Sequence, residues 1–503
     1  MFSFFGKFMN EQFRVAQKLG LMFRSDTPLP DDIKSWAISQ LKAKSPALGV
    51  NNTLAKKIQE WPDRLQPDLL TRDNRYSEYK YNRKRQELNL AGYSSEAAKQ
   101  DNRKKNLLLN TDELKFSHRN TFGDDQVKLR FTSFWTNHFT TGNIWDNQNH
   151  IGHLMEEAIL ANLNGNFSQM LYKVTSHPAM LSYLDNCWSC GENSQNAIWA
   201  RQDGEQAGLN DNLGRELLEL HTVSPSAKYT ESDIRGAANV LAGWGIWPGR
   251  ISGDNELLST AQRHQKLLKM GGTINSWDFF KQDHAEPGRK KVLGKEIPAG
   301  KGGLRKLTDF LAAHEHTIKH ISFKLTQHFV SDNPSKSDVD FIANAWRKSN
   351  GDLNKIHSAV IERAIMSKEP KFQWPMTWLF QVVRLSDARF FMGWSQIDSY
   401  DEKLMESRKI FEELGQGFWH ERQPDGYSSD KNEWLSGEMF ERRIRFSDAI
   451  YSAGRPKFKS DDIMNRIDAN ESTRKLVSSV GMSEKAKFIA LMCSPEMMGL
   501  ENA

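Results

Sequence analysis

The sequence predicts a mainly α-helical protein, one large helical body with long loop insertions and at most a small β-hairpin. Three observations lead there. Apolar residues recur at three- and four-residue spacing in segment after segment. Strand-like patterning is confined to one region, 277–297, and neither an internal repeat nor a low-complexity linker divides the 503 residues. Residues 1–125 are expected to form an N-terminal helical region. Residues 126–503 are expected to form one compact core, with insertions near 187–209, 250–300 and 415–434.

The elements follow in chain order. MFSFFGKFMNEQFRVAQKLGLMF reads as an amphipathic helix, with Phe5, Phe8, Met9 and Phe13 at helical spacing. Lys7, Asn10 and Glu11 interrupt any apolar export segment, and no small-residue cleavage site follows, so a cytoplasmic location is expected. DDIKSWAISQL (31–41) opens on acidic residues and carries apolar Ile33, Trp36, Ala37 and Leu41. The aromatic-rich segment 129–139 reads as buried, and His177-Pro178 marks a helix start. Segments 152–163, 306–329, 337–346, 353–366 and 485–492 share the helical spacing. WDFFKQD and KKVLGKEI, flanking the turn-like AEPG, make the one hairpin candidate. Segments 187–209 and 415–434 read as long loops of the kind that often carry function, the second with a Gly-x-Gly start and a Pro-Asp-Gly turn.

Composition excludes several classes. A net charge of +5, with Lys and Arg interleaved among Asp and Glu, gives no case for nucleic-acid binding. The densest basic run, KYNRKR (80–85), is flanked by acidic residues and reads as solvated. No apolar run is long enough to span a membrane. The three cysteines, Cys187, Cys190 and Cys493, make no disulfide framework. Their single C-x-x-C lacks both the second ligand pair of a zinc site and the βαβ setting of a redox pair. No phosphate loop, G-x-S-x-G or dinucleotide fingerprint occurs. His316 and His320 have a two-His metal spacing, but no Glu follows His316 and surface or capping roles suit them better.

The densest candidate is NLGRELLELHTV (212–223). A helix capped at Asn210 or Asp211 and running to about 222 puts Asn212, Arg215, Glu216 and Glu219 on one stripe beside Leu213, Leu217 and Leu220. Arg215 has i,i+4 spacing to Glu219, and His221 falls in the last turn. As a plain amphipathic helix this is solvated surface. Facing a cleft, two carboxylates and an Arg suit acid–base chemistry or metal binding, although the Glu-x-x-His spacing of di-iron bundles is absent. A second helix is expected next, with Thr230 and Asp233 as a capping box and Ile234, Ala238 and Leu241 as its buried seam.

These residues also carry a resemblance. YLDN (183–186), GENS (191–194), GLNDNLGRELLELHTV (208–223), YTESDIRGAANVLAGW (229–244) and EPGRKKVLGKEI (286–297), with FWTNHF (134–139) upstream, closely resemble the bacterial family catalogued as domain of unknown function 1800. FKLTQHFVSDNP (323–334), KFQWPMTWLFQVVR (371–384) and MCSPEM (492–497) extend the similarity from about residue 130 to the end. The resemblance implies a bacterial, mainly helical protein and brings no established reaction. Relatives are often exported and often encoded beside a sulfatase-like family, domain of unknown function 1501. Ala285, with His284 one place earlier, stands where many relatives have a His before Glu-Pro-Gly.

Two functions are therefore weighed, and no cofactor is assigned. In the first, the protein is a hydrolase or transferase acting on a cell-envelope or polysaccharide substrate. Glu216, Glu219, His221 and His138 are its candidate catalytic residues, and Asn212, Arg215, Asp185, Asn186 and Trp244 its candidate binding residues. In the second, it is a non-catalytic binding or assembly partner of a sulfatase-like protein, and the polar stripe is internal scaffold. Either way Arg215 is expected to be largely buried, contacting Glu216, Glu219 or the loop 185–194.

Overall fold

A computed structural model describes residues 2–24, 27–43, 119–143, 147–246, 277–388, 405–421, 423–457 and 459–501, with scattered positions between 69 and 117 and between 265 and 269. The basic run 80–85, most of 250–276 and the side chains of Phe5, Phe8 and Met9 lie outside the described residues. The described chain is mainly α-helical, and its named strands form one antiparallel hairpin. Its helices are α1 (Phe2–Leu19), α2 (Ile33–Lys42), α3 (Gln126–His138), α4 (Phe167–Thr175), α5 (Pro178–Tyr183), α6 (Gln195–Gln202), α7 (Asn212–Glu219) and α8 (Glu231–Leu241). After β1 (Lys290–Val292) and β2 (Lys295–Ile297) come α9 (Gly302–Ala312), α10 (Glu315–Phe329), α11 (Lys336–Ser349), α12 (Leu353–Met366) and α13 (Pro375–Leu385).

Local chemistry sets these limits. Asp32, Ser194, Ser335 and Asp352 each accept a backbone N–H in the first turn of the helix they precede, filling a donor the helix cannot satisfy itself. His177 caps α5 ahead of Pro178, as the sequence suggests. The segment 306–329 is two helices rather than one, because His314 turns extended and caps α10 by accepting from His316 N at 3.3 Å. The segment 187–209 is not wholly loop, because Ser194 starts α6 within it. Residues 152–163 form a helical stretch that widens to π geometry over Leu154–Ile159. The hairpin also differs from expectation. Its strands pair across Leu293 and Gly294, both at positive φ (49° and 78°), as a two-residue type I′ turn requires. AEPG precedes the hairpin, and Phe280 makes only an isolated bridge with Trp244.

Two large buried clusters organise the packing. The first gathers α3, α4 and α7–α12, and the second gathers α13 with the chain beyond 405. α1 feeds both, Val15 and Leu19 entering the first and Phe13 and Ala16 the second. In the first, the Trp135 indole N–H donates to His357 Nε2 at 3.0 Å, so both polar rings enter the interior as a matched pair.

Candidate functional site

The quoted motifs are first of all a docking framework. A Cβ on Gly214 would stand 2.8 Å from the Ala238 backbone N, so α7 and α8 meet almost backbone to backbone. A Cβ on Gly236 would stand 2.2 Å from Lys291 O, because β1 crosses α8 there. The Thr230–Asp233 capping box is present. The other Asp233 oxygen accepts Leu293 N at 2.7 Å, tying the hairpin turn to the start of α8. The Glu286 carboxylate accepts Asn193 N and Nδ2 at 2.9 and 2.7 Å, which joins GENS to EPG.

Several candidate residues belong to this framework. Asn186 is buried and donates to Leu241 O and Trp244 O at 3.2 and 2.9 Å, satisfying carbonyls at the end of α8. Trp244 is buried against Tyr172 and Phe280. Asp185 is exposed in the left-handed region (φ 56°), and Asn212 is exposed. α7 also stops earlier than expected, at Glu219. His221 N returns to Glu216 O at 3.0 Å and Thr222 Oγ1 to Leu217 O at 2.6 Å, which satisfies the last carbonyls without another turn.

Arg215 corrects the sequence expectation. Its side chain is 37% exposed, and its fork engages Glu231 through two 3.1 Å hydrogen bonds, with Asp211 at 3.5 Å. The contacts are neither Glu216 and Glu219 nor the loop 185–194. The cause is the close approach at Gly214, which sets Arg215 opposite the first turn of α8, where Glu231 lies. An ion pair this exposed contributes at most about 1 kcal/mol.

Glu216 and Glu219 diverge from it into different company. Tyr229 Oη donates to Glu219 Oε2 at 2.9 Å. The Glu216 carboxyl is half-buried and makes no hydrogen bond or ion pair with the described residues. Burial raises its carboxyl to about 6, with Glu219 and Asp425 adding to the rise and Arg215 opposing it. Asp425 is the exposed residue of the expected Pro-Asp-Gly turn, where Gly426 N returns to Gln423 O. Its charge also reaches Tyr183, which burial foremost pushes up to about 12, and Lys324 of α10, which burial lowers to about 8 against the pull of Asp425. Lys324 makes no hydrogen bond or ion pair with the described residues. Glu421, four residues before Asp425, is raised by burial to about 7.

The turn is held rigidly. Asn137, from the last turn of α3, accepts Tyr427 N at 2.8 Å and donates to Tyr427 O at 3.0 Å. A Cβ on Gly426 (φ 78°) would stand 2.5 Å from Asn137 O, so glycine is required there for space and conformation alike. Asp425 and Glu421 line an open cleft of about 530 Å³ with His420 and Tyr427.

The histidines play a different part. His138 and His221 are buried, and His138 Nε2 lies 3.2 Å from His221 O. Burial foremost lowers both, His221 to about 3, with Lys324 nearby adding to the effect, so both rings are neutral at ordinary pH. Neither is poised to exchange protons with a substrate. His316 pairs with Ser226 (2.9 Å) rather than with His320. No group of three or more metal-binding side chains occurs among the described residues, and Cys187 and Cys190 are buried without a disulfide.

The arrangement thus brings together Glu216, Glu219, Tyr229, Tyr183, Lys324 and Asp425, four of which were not singled out as candidates in the sequence. Their signals were there. Tyr183 stands in YLDN, Tyr229 in YTESD, Lys324 in FKLTQHF, and Asp425 in the turn of a long loop.

A whole-chain comparison agrees with the motifs. The family described as "Protein of unknown function (DUF1800)" matches residues 31–498. The chain belongs to that family. The DUF1800 match reaches further toward the N-terminus than the quoted motifs and takes in α2. No curated protein and no solved structure is detectably similar to the chain. Among the described residues no helix is long and apolar enough to cross a membrane.

Proposed function

We propose that this chain is a hydrolase or transferase whose proton-transfer groups are Glu216 and Asp425, the second lining the open cleft. The observation that carries the reading is Glu216 itself, a half-buried carboxyl with no partner among the described residues, raised to about 6 beside two further acids. A carboxyl poised near neutrality in a group of acids can serve as a general acid while a neighbouring carboxylate serves as the base. In its protonated form Glu216 gives its proton to the leaving oxygen as the scissile C–O bond breaks. Water, or an acceptor hydroxyl in a transfer, bonds to the same carbon and yields its proton to the Asp425 carboxylate. One proton then passes back to Glu216 through solvent. Glu219 is positioned by Tyr229, and Lys324 offers a cation for an anionic substituent. A cell-envelope or polysaccharide substrate is carried over from the family context.

The test is turnover of purified bacterial envelope polysaccharides and synthetic glycosides, followed by release of new reducing ends. Wild type should turn over at least one of them. Glu216→Gln should lose on the order of 10²-fold or more in rate at unchanged melting temperature. Turnover that survives the substitution, or none by wild type, rejects the proposal.

A second reading has its own observation. Trp188 and Trp199 are 65% and 50% exposed in the segment that follows the YLDN motif. Large aromatics left in water often mark binding surfaces, which favours a non-catalytic partner of a sulfatase-like protein. Co-purification of such a protein, lost on Trp188→Ser with Trp199→Ser, would support it.

A further inference from the structure

Behind the cleft lies an interior cation without an internal counter-charge. Arg130 of α3 is 4% exposed and forms no ion pair with any described residue. Burial alone lowers its pKa, to about 10, and no neighbouring carboxylate acts on it. Several other buried cations have a carboxylate partner, and Lys18 and Arg384 spend donors on backbone carbonyls. Arg72 grips Asp112 through hydrogen bonds of 2.7 and 3.0 Å, Arg119 meets Glu156 at 3.0 Å, and Lys371 is paired with Asp332. Arg443 also lacks an ion pair among the described residues, its guanidinium carbon 5.2 and 5.1 Å from the rings of Phe372 and Trp378, as that of Arg130 is 5.7 Å from the ring of Phe329. Arg130 differs in bordering a cavity of about 50 Å³.

The donors of Arg130 are unevenly used. Nη1 donates to Thr377 Oγ1, Nη2 reaches Lys18 O only at 3.5 Å, and Nε has no partner among the described residues. The Nε–Nη2 edge, two parallel N–H groups, is therefore nearly unspent, and that edge matches the two oxygens of a carboxylate. The remaining wall includes Asn120, the rings of Phe116, Phe380 and Trp374, and His328, whose Nε2 is buried without a partner among the described residues. At roughly 10–15 Å³ per water-sized probe, the space holds three to five such spheres, the size of a two- or three-carbon acid. A tetrahedral dianion would need more donors than one guanidinium edge and a neutral imidazole supply.

We propose that this cavity binds a small organic monocarboxylate, its oxygens on the Nε–Nη2 edge of Arg130 and its short apolar body against Phe116, Phe380 and Trp374. Glu421 and Tyr427 line both this cavity and the open cleft, so the ligand sits directly behind the wall of the candidate site.

The test is saturation-transfer NMR and calorimetric titration of the full chain with acetate and propionate. Phosphate and sulfate serve as separate arms at matched ionic strength. Acetate or propionate should bind at least tenfold more tightly than either inorganic anion. Arg130→Met, similar in reach but uncharged, should lose that binding at least tenfold. Should Arg130→Met fail to fold, Arg130→Lys replaces it, keeping the charge without the fork, and the same loss is expected. Absence of carboxylate binding to wild type, preference for phosphate or sulfate, or undiminished carboxylate binding in the folded variant each overturns the assignment.

Discussion

Acidification from pH 7.5 to 5 should remove much of the folding stability through the buried histidines. His221 and His357 are fully buried and lowered from 6.5 to about 3, and His138 and His328 are held well below 6.5, in each case chiefly by burial. The native state keeps these rings neutral, while the unfolded chain takes up a proton on each below about 6.5. The unfolded state therefore binds more protons. The stability is fully present above pH 6.5 and is lost as pH falls from there toward 3. At pH 5, about 1.5 units below the unfolded value, His221 and His357 each cost about 2 kcal/mol at ~1.4 kcal/mol per unit, and His138 and His328 add in the same direction. Glu216 and Glu421, raised to about 6 and 7, work the other way, because the native state protonates first. Solvent screening shrinks the Glu216 part of that offset, and the four histidines together outweigh it. A net loss of a few kcal/mol is a large share of the roughly 5–15 typical of a folded protein. Urea denaturation at half-unit pH steps measures it directly. His221→Leu should flatten the slope between pH 6 and 4 by about 1.4 kcal/mol per unit, one proton's worth. Stability flat from pH 7.5 to 5, or a slope unchanged in His221→Leu, would mean that the native state takes up these protons as readily as the unfolded chain.

Three further outcomes follow from the motif geometry. Asp233→Ala removes both the capping box and the acceptor for Leu293 N, and should cost about 2 kcal/mol in chemical denaturation; a loss below about 0.5 would show that the hairpin turn does not depend on it. Gly214→Ala should destabilise by about 1–3 kcal/mol despite alanine's better helix propensity, because its Cβ meets Ala238; a rise in melting temperature would contradict the tight α7–α8 contact. Arg215→Lys should change stability by less than about 1 kcal/mol, since the ion pair is exposed; a larger loss would mean that the residue is buried in solution.

Periodicity made the helices legible, because an apolar face at three- and four-residue spacing is a local property. Segment 353–366 coincides with α12, and the capping box at Thr230 is as expected. The splitting of 306–329 was less visible, since His314 acts through its backbone conformation as a cap rather than through composition. The site was legible only in part. Glu216 and Glu219 stood out by their density in one helix. Asp425 and Lys324 join them across roughly 200 and 100 positions of sequence, a juxtaposition that tertiary packing makes and local pattern does not record. Arg215 misled for the same reason. Helical spacing offered Glu219 as its partner, and the contact between Gly214 and Ala238 supplied Glu231 instead.

The Glu216 carboxyl, without a partner among the described residues, is held near neutrality by burial and neighbouring acids. This is tested without a substrate by titrating the Glu216 side-chain carbon in protein labelled with ¹³C at glutamate Cδ, assigned by its absence in Glu216→Gln. The expected midpoint is near 6 and moves downward when Asp425→Asn removes one adjacent charge. A midpoint near the ordinary 4.5, or one indifferent to Asp425→Asn, would contradict it.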